Sequence, residues 1–251
     1  MTKPAIQEMQ ELACSADDLL VFIDDTGNES FAGDQEYYGL GGCIVRGEHY
    51  GHLKVQWAAV RTRVKGRPDA PLHAAELEHT ACNFEALSNF FNDRSFARIA
   101  VSSTKCATLP DGMHPAVPVM SALQEDMARL AGRIPCTSVK LIVESSQRAD
   151  PILCQRFGEL TPDGAKLSVP VNYCLMPKAG GEPGLEVADF IVNAAGSQTR
   201  RHLRGQGGFA RDFNDVFCRL PACGCLFSLI REVEVEADGR VCMRRDRLVG
   251  N

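Results

Sequence analysis

The sequence predicts an α/β fold, with a mixed α+β arrangement as the alternative, because short apolar runs of strand length alternate with segments of helical periodicity. The 251 residues contain 45% hydrophobic and 24% charged residues, the balance of an ordinary globular protein. We expect one domain over residues 1–251, with a core over about 19–205. An arginine-bearing segment and a hairpin would follow over about 206–251.

Five apolar runs predict the strands of a sheet. These runs are Leu19–Ile23, Tyr37–Val45, Arg98–Ser102, Val139–Val143 and 169–175. The first run ends in the turn-forming residues 24–28, and glycines at 39, 41 and 42 indicate close approach of a backbone or a ligand. The segment Leu226–Val249 predicts a hairpin that turns at Asp238-Gly239.

Helical periodicity predicts five helices between these strands. They cover residues 49–65, 84–92, 118–134, 150–160 and Leu185–Leu203. The pattern is clearest in 118–134, where apolar residues recur every three or four positions and form one stripe. That stripe consists of Met120, Leu123, Met127, Leu130 and Ile134.

Acidic residues follow the ends of two apolar strands. Asp24 and Asp25 follow the first predicted strand, and Glu144 follows Val139–Val143. Open α/β sheets bind ligands at the carboxyl ends of their strands, so we expect these side chains to face a crevice. Asp189 in the last helix and Glu76 in a short helical segment are two further candidates.

Carboxylates that converge from separate elements repel one another and lose hydration. A Mg²⁺ or Mn²⁺ ion relieves both effects, because hard cations prefer oxygen ligands. Two such ions ~3.5–4 Å apart can activate water and stabilise the leaving oxygen in phosphodiester cleavage. The acidic residues therefore predict a divalent-metal site with Asp24 at its centre.

Three ordered motifs resemble those of the bacterial domain-of-unknown-function family 3800. They are Phe-Ile-Asp-Asp-Thr-Gly at 22–27, His-Ala-Ala-Glu-Leu at 73–77 and Gly-Leu-Glu-Val-Ala-Asp-Phe at 184–190. The resemblance covers about residues 19–205 and implies a ribonuclease H-like mixed sheet flanked by helices. It also implies metal-dependent nucleic-acid cleavage with Asp24, Glu76, Glu144 and Asp189 as the acids. The family usually has Asp-Glu-Ser-Gly where this chain has Asp25 and Thr26 at the second and third places.

The function that these observations favour is a metal-dependent phosphodiester hydrolase, specifically a nuclease. Asp24 would bridge Mg²⁺ or Mn²⁺ ions with Asp25 beside it, Glu144 and Asp189 would complete the shell, and Glu76 would ligate metal or position water. Arg200 and Arg204 would contact substrate phosphate. The alternative is a non-catalytic ribonuclease H-like domain that binds nucleic acid or a partner protein.

Several simpler interpretations compete with this one. Asp24 and Asp25 could cap a turn, and the arginines could complement a helix dipole. Asp25-Thr26-Gly27 also matches the motif of aspartic proteases, but the chain has no second copy and the predicted helices disagree with that all-β architecture. His73 and His79 would lie on different faces of a helix, so we do not expect them to bind a common zinc ion. His73 is instead predicted to orient an acid.

Charge and cysteine usage bear on partners and compartment. Residues 1–195 contain 17 basic and 25 acidic residues, whereas 196–251 contain 10 arginines and 7 acids. That distribution suits a nucleic-acid partner bound through an arginine-bearing end.

The 11 cysteines are odd in number and several lie in apolar runs, so we expect reduced thiols and a cytoplasmic location. Cys218, Cys223 and Cys225 lack the pairing and the fourth ligand of a structural zinc site. The N-terminus carries no signal-peptide pattern and no segment has the length of a membrane span.

Overall fold

The computed structural model of the chain contains one seven-stranded mixed sheet flanked by helices. It describes residues 12–28, 31, 36–92, 95–104, 109, 113–114, 116–145, 150–151, 169–177, 181–213, 216, 228–235 and 241–245. The strands are β1 (Asp18–Gly27), β2 (Tyr37–Arg46), β3 (Phe96–Thr104), β4 (Ser138–Glu144), β5 (Val171–Met176), β6 (Ser228–Val235) and β7 (Val241–Arg245). Their spatial order is β5-β4-β1-β2-β3-β6-β7.

The pairing of the strands confirms the α/β prediction. β1, β2 and β3 form an antiparallel meander, while β4 and β5 run parallel to β1 on its other side. β6 is parallel to β3 and forms the predicted antiparallel hairpin with β7. This mixed sheet is consistent with the ribonuclease H-like arrangement expected from the sequence.

The helices also follow the periodicity of the sequence. They are α1 (Gly47–Lys65), α2 (Ala81–Phe91), α3 (Ala116–Ala131), α4 (Pro183–Leu203) and the single turn α5 (Arg211–Phe213), with a 3₁₀ turn at Ala74–Glu76. In α3, Met120, Leu123 and Met127 of the predicted stripe are buried against the sheet. α1 ends at Gly66, whose φ of 77° is the left-handed conformation that glycine adopts without strain.

β1 is longer than predicted at its carboxyl end. The predicted turn at 24–28 is wrong, because the strand continues to Gly27 and pairs with β2 up to Gly27–Tyr38. The parallel pairing with β4 does end where expected, at Ile23–Val143. Asp24 therefore lies just past the end of the β1–β4 ladder but inside the β1–β2 ladder. Pairing with β2 supplies the backbone hydrogen bonds that a local turn would otherwise make.

The sheet divides the core into two layers. Leu20 and Phe22 point to the layer that contains α1, α2 and α4, which we call the α4 face. Leu19, Val21 and Ile23 point to the layer that contains α3. This alternation along β1 follows from the two-residue period of a strand. Both faces of β1 are buried, which explains why its sequence is a continuous apolar run.

α4 lies close to the sheet because glycines remove side chains from the contact. A Cβ at Gly184 would lie 2.5 Å from the Phe22 ring. A Cβ at Gly42 would meet the carbonyl oxygen of Phe22 and would lie 3.1 Å from the Cβ of Ala188. The close approach predicted for the β2 glycines is thus an approach of backbone and helix.

Other predicted features lie outside the described residues. They are most of the helix at 150–160, the turn at Asp238-Gly239, and Cys218, Cys223 and Cys225. None of the helices in the described part of the chain combines the length and the apolar character that a membrane span requires.

Candidate functional site

Asp24 and Glu144 lie side by side at the carboxyl end of the β1–β4 pair. The register pairs Ile23 with Val143, so the next residue of each strand is acidic. Phe22 and Ile142 belong to the core of the α4 face, and strand alternation places Asp24 and Glu144 on that same face. Asp24 is 5% exposed and Glu144 is 8% exposed. Two acids that the sequence separates by 120 positions are therefore buried neighbours.

The surroundings of Asp24 favour its neutral form. Burial raises the pKa of Asp24 well above its usual range, and the charge of Glu144 and a hydrogen bond to Glu144 raise it further. The charges of Asp189 and Asp25 act in the same direction. An ionised carboxylate can only accept hydrogen bonds, so the bond between Asp24 and Glu144 requires a proton on one of them.

Asp189 reaches this site from α4. It follows Gly184 by five residues, and it is one of the few partly exposed positions in a helix that is otherwise almost entirely buried. Its Oδ2 accepts a hydrogen bond of 2.8 Å from the backbone N–H of Ala74. The Nδ1 of His73 lies 3.8 Å from the same oxygen, which agrees with the predicted role of His73 in orienting an acid.

A cleft beside these acids contains about 260 Å³ of empty space, part of it open to solvent. Its walls come from the end of β4, the segment before the 3₁₀ turn, and the start of α4. The lining residues are His73, Glu144, Pro177, Glu182, Leu185, Glu186 and Asp189. Four carboxylates therefore face one small volume.

Two of these four carboxylates, those of Glu182 and Glu186, are not among the metal ligands that the sequence predicted. Glu182 caps α4, because its side chain accepts from the N–H of Gly184 at 3.1 Å, and it also accepts from the Tyr50 hydroxyl. Glu186 is 6% exposed and is paired with Arg61. The sequence analysis did not predict this pairing. A signal was present: Arg61 falls on the buried face of α1 with Leu53 and Trp57, where an arginine needs an acidic partner.

The other predicted acids are less directly placed. Asp25 is partly buried, and its backbone N–H donates to Asp24 Oδ1 at 2.7 Å. Strand alternation directs its side chain away from that of Asp24. Glu76 is exposed at the end of the 3₁₀ turn and is not among the lining residues of the cleft.

The predicted phosphate-binding arginines lie far from the acids. Arg200 follows Asp189 by 11 residues, which is roughly 16 Å along a helix axis, and Arg204 is roughly 22 Å away by the same rise. Their contact with substrate phosphate stays a prediction.

The chemistry of the donors fits a hard divalent cation. Asp24, Glu144 and Asp189 offer carboxylate oxygens, which Mg²⁺ and Mn²⁺ prefer. Within the described ranges, however, no three His, Cys, Asp or Glu side chains are already arranged around a common ion position. Burial and the neighbouring acids favour the neutral form of Asp24, so ligation of a cation by this residue requires loss of its proton.

The fold and these acids define a class: α/β proteins of the ribonuclease H-like type with a buried carboxyl pair beside an acidic cleft. A comparison with models of known protein families finds no match, and a comparison with curated protein sequences finds no relative.

Proposed function

We propose that the protein is a divalent-metal-dependent phosphodiester hydrolase that cleaves nucleic acid in the cytoplasm, as its three motifs and their resemblance to family 3800 imply. The observation that carries the proposal is the burial of Asp24 against Glu144 with Asp189 nearby. Burying like charges together is costly, and a bound cation is the usual compensation. Such clusters occur preferentially at functional sites.

In this proposal Asp24, Glu144 and Asp189 hold Mg²⁺ or Mn²⁺. When bound, the ion would supply a nucleophilic water and charge stabilisation for the phosphodiester. The Ala74 N–H and His73 orient Asp189. Asp25 and Glu76 are proposed as weaker contributors, and Arg200 and Arg204 as contacts to nucleic-acid backbone several nucleotides from the cleaved bond.

The test is a pair of thermal melts, wild type and Asp24→Asn, each with EDTA and with Mn²⁺. A cation that binds only the folded state at a hundredfold excess over Kd stabilises by about 2.7 kcal/mol. For a domain of this size that corresponds to roughly 5–10 °C in Tm. We expect Asp24→Asn to lose that shift, while wild type keeps it. A Mn²⁺ shift that survives unchanged in Asp24→Asn would remove Asp24 from the metal site.

Turnover is measured on labelled single- and double-stranded DNA and RNA with Mn²⁺. Glu144→Gln and Asp189→Asn should abolish cleavage. Asp69→Asn is the matched control, because Asp69 is an exposed acid whose side chain is 77% accessible. Equal cleavage by all of these variants would point to a contaminating nuclease.

The second candidate is a non-catalytic domain that binds nucleic acid or a partner protein. It is favoured by the raised pKa of Asp24, which disfavours the charged ligand, and by the absence, among the described side chains, of a ready arrangement of three ligands. Binding of labelled oligonucleotides in EDTA, without cleavage after Mn²⁺ is added, would support this alternative.

A further inference from the structure

Arg61 lies behind the cleft and is nearly inaccessible, with 7% of its surface exposed. It contacts both oxygens of the Glu186 carboxylate. The Nη2 of Arg61 is 2.8 Å from Oε1 of Glu186, and its Nε donates to Oε2 at 2.9 Å. Only the contact to Oε2 is a hydrogen bond, because Oε1 accepts none among the described residues and lies at ion-pair distance. The pair therefore neutralises the charge of Glu186, and the bond to Oε2 orients the two groups.

The same guanidinium also holds two loops that form the cleft. It donates to the carbonyl oxygen of Gly181 at 2.7 Å and to that of Pro68 at 3.4 Å. Gly181 directly precedes the Glu182 cap of α4. The segment that follows Pro68 leads to Ala74, whose N–H donates to Asp189. Arg61 therefore connects α1, α4 and both loop walls through one side chain.

Glu186 differs from Asp24 and Glu144 in the groups that surround its carboxylate. Its carboxylate also accepts from Nε1 of Trp57 at 2.7 Å, so it is held by an arginine and an indole. Asp24 and Glu144 instead have each other and the charges of Asp189 and Asp25 nearby. The positive charge of Arg61 beside Glu186 lowers the attraction of that carboxylate for a second cation.

We propose that Arg61 is a positioning residue of the acidic site. It neutralises Glu186, so that this carboxylate lines the cleft without ligating the cation, and it holds the walls that orient Asp189. The inference rests on the proposed metal-dependent function. It adds that an acid of the cleft that is paired with an arginine does not ligate the metal.

Three variants separate this role from a merely structural one. Arg61→Met releases the charge of Glu186, so it should melt at a lower temperature in EDTA and yet bind Mn²⁺ more tightly, by about three- to tenfold at low salt. Turnover should fall, because Glu186 then competes for the cation. Glu186→Leu leaves Arg61 unpaired and should weaken Mn²⁺ binding by a similar factor.

The decisive variant is the double substitution Arg61→Met with Glu186→Leu. Removing both partners of a buried pair leaves no uncompensated charge. The double variant should therefore recover the Mn²⁺ affinity of the wild type within about twofold. Its Tm in EDTA and its turnover should stay below those of the wild type, because the carbonyls of Gly181 and Pro68 and the Nε1 of Trp57 lose their partners. If Glu186 is a ligand, the double variant will bind Mn²⁺ as weakly as Glu186→Leu, and the inference is overturned.

Fluorescence supplies a check on folding and a direct signal from the pair. Trp57 is the only tryptophan of the chain, and its indole is fully buried. Its emission should stay blue-shifted in every folded variant and should change when Arg61 is replaced. Arg61→Lys keeps the charge and loses the hydrogen bonds that the guanidinium donates to Glu186, Pro68 and Gly181, so it should keep Mn²⁺ affinity near that of wild type while turnover falls. Affinity changes as large as those of Arg61→Met would contradict the charge argument.

Failure of the inference and failure of the proposed function give different results. Loss of Mn²⁺ binding in the double variant, with a normal response of wild type, refutes the role of Arg61 alone. Absence of any Mn²⁺ response in wild type refutes the metal-dependent function and the inference with it.

Discussion

Asp18 and Asp24 occupy the same strand and the same face of the sheet, but their surroundings shift their pKa values in opposite directions. Asp18 is buried, which raises its pKa, but hydrogen bonds from Lys140, Ser138 and Ser15 outweigh burial and hold the pKa below its usual range. The Nζ of Lys140 lies 2.8 Å from Asp18 Oδ2. Asp24 has Glu144 at the corresponding place on β4. The surroundings thus lower the pKa of the acid at one end of the β1–β4 pair and raise that of Asp24 at the other end.

This contrast predicts a pH dependence at the residue scale. The folded pKa of Asp24 is raised, so the folded state holds its proton more tightly than the unfolded state does. In EDTA, the free energy of unfolding of wild type should fall relative to Asp24→Asn as pH rises from about 3.9, the unfolded value, towards the folded pKa. Denaturant titrations across pH measure this difference.

Asp18→Asn provides a control of the opposite sign. Because its folded pKa is lowered, Asp18 stabilises the protein above its unfolded pKa, and that contribution is lost as pH falls through the folded pKa. Asp18→Asn should therefore be less stable than wild type at neutral pH and approach it in acid. If both variants follow the same trend with pH, the electrostatic difference between the two ends is refuted.

At the scale of elements, α4 determines where Asp189 lies. Its first turn rests on the ring of Phe22, and Ala188 rests on Gly42 of β2. Over residues 184–199 the helix is buried except at Asp189, Asn193 and Ser197, which lie on one stripe. A small displacement of α4 would therefore move Asp189 relative to Asp24 without breaking the helix.

Gly184→Ala tests this packing. Alanine is the better helix former, by up to about 1 kcal/mol, but its Cβ would lie 2.5 Å from the Phe22 ring. Overpacking of this kind costs about 1–3 kcal/mol, so we expect a net loss of stability. Denaturant unfolding measures it, and turnover reports any displacement of Asp189.

Gly51→Ala in α1 is the matched control. Nothing lies within 4 Å of the position of its Cβ, so the same substitution should stabilise the protein by roughly 0.5–1 kcal/mol. Equal effects of the two substitutions would show that helix propensity, rather than contact with the sheet, governs the first turn of α4.

At the scale of the whole molecule, the sequence predicts that all cysteines are reduced. Cys14, Cys43, Cys82, Cys136 and Cys174 are free in the described part of the chain. Thiol titration of the denatured protein, prepared without oxidant, should recover nearly all 11 cysteines. In the native state, exposed Cys82 should react first. Cys43 should react slowly, because it is buried and burial raises its pKa. Stoichiometric disulfides in fresh protein would contradict a reducing compartment.

Much of the fold could be read from local patterns, since strand and helix periods depend on which faces of an element are buried. The five apolar runs and the stripe of α3 correspond to described elements. The end of β1 could not be predicted, because residues 24–27 are turn formers by local propensity and only pairing with β2 extends the strand. Tertiary context overrode local preference there.

The sequence by itself determined the kinds of group available for a site: acids that follow apolar strands, a motif in α4, and an arginine-bearing end. Only the tertiary structure decided which of them meet. The register of β1 and β4 places Asp24 beside Glu144. Glu186 forms an ion pair with Arg61, and the length of α4 separates Arg200 from the acids. The physical reason is that composition and periodicity are local properties, whereas repulsion, burial and ion pairing depend on distances between residues far apart in the chain.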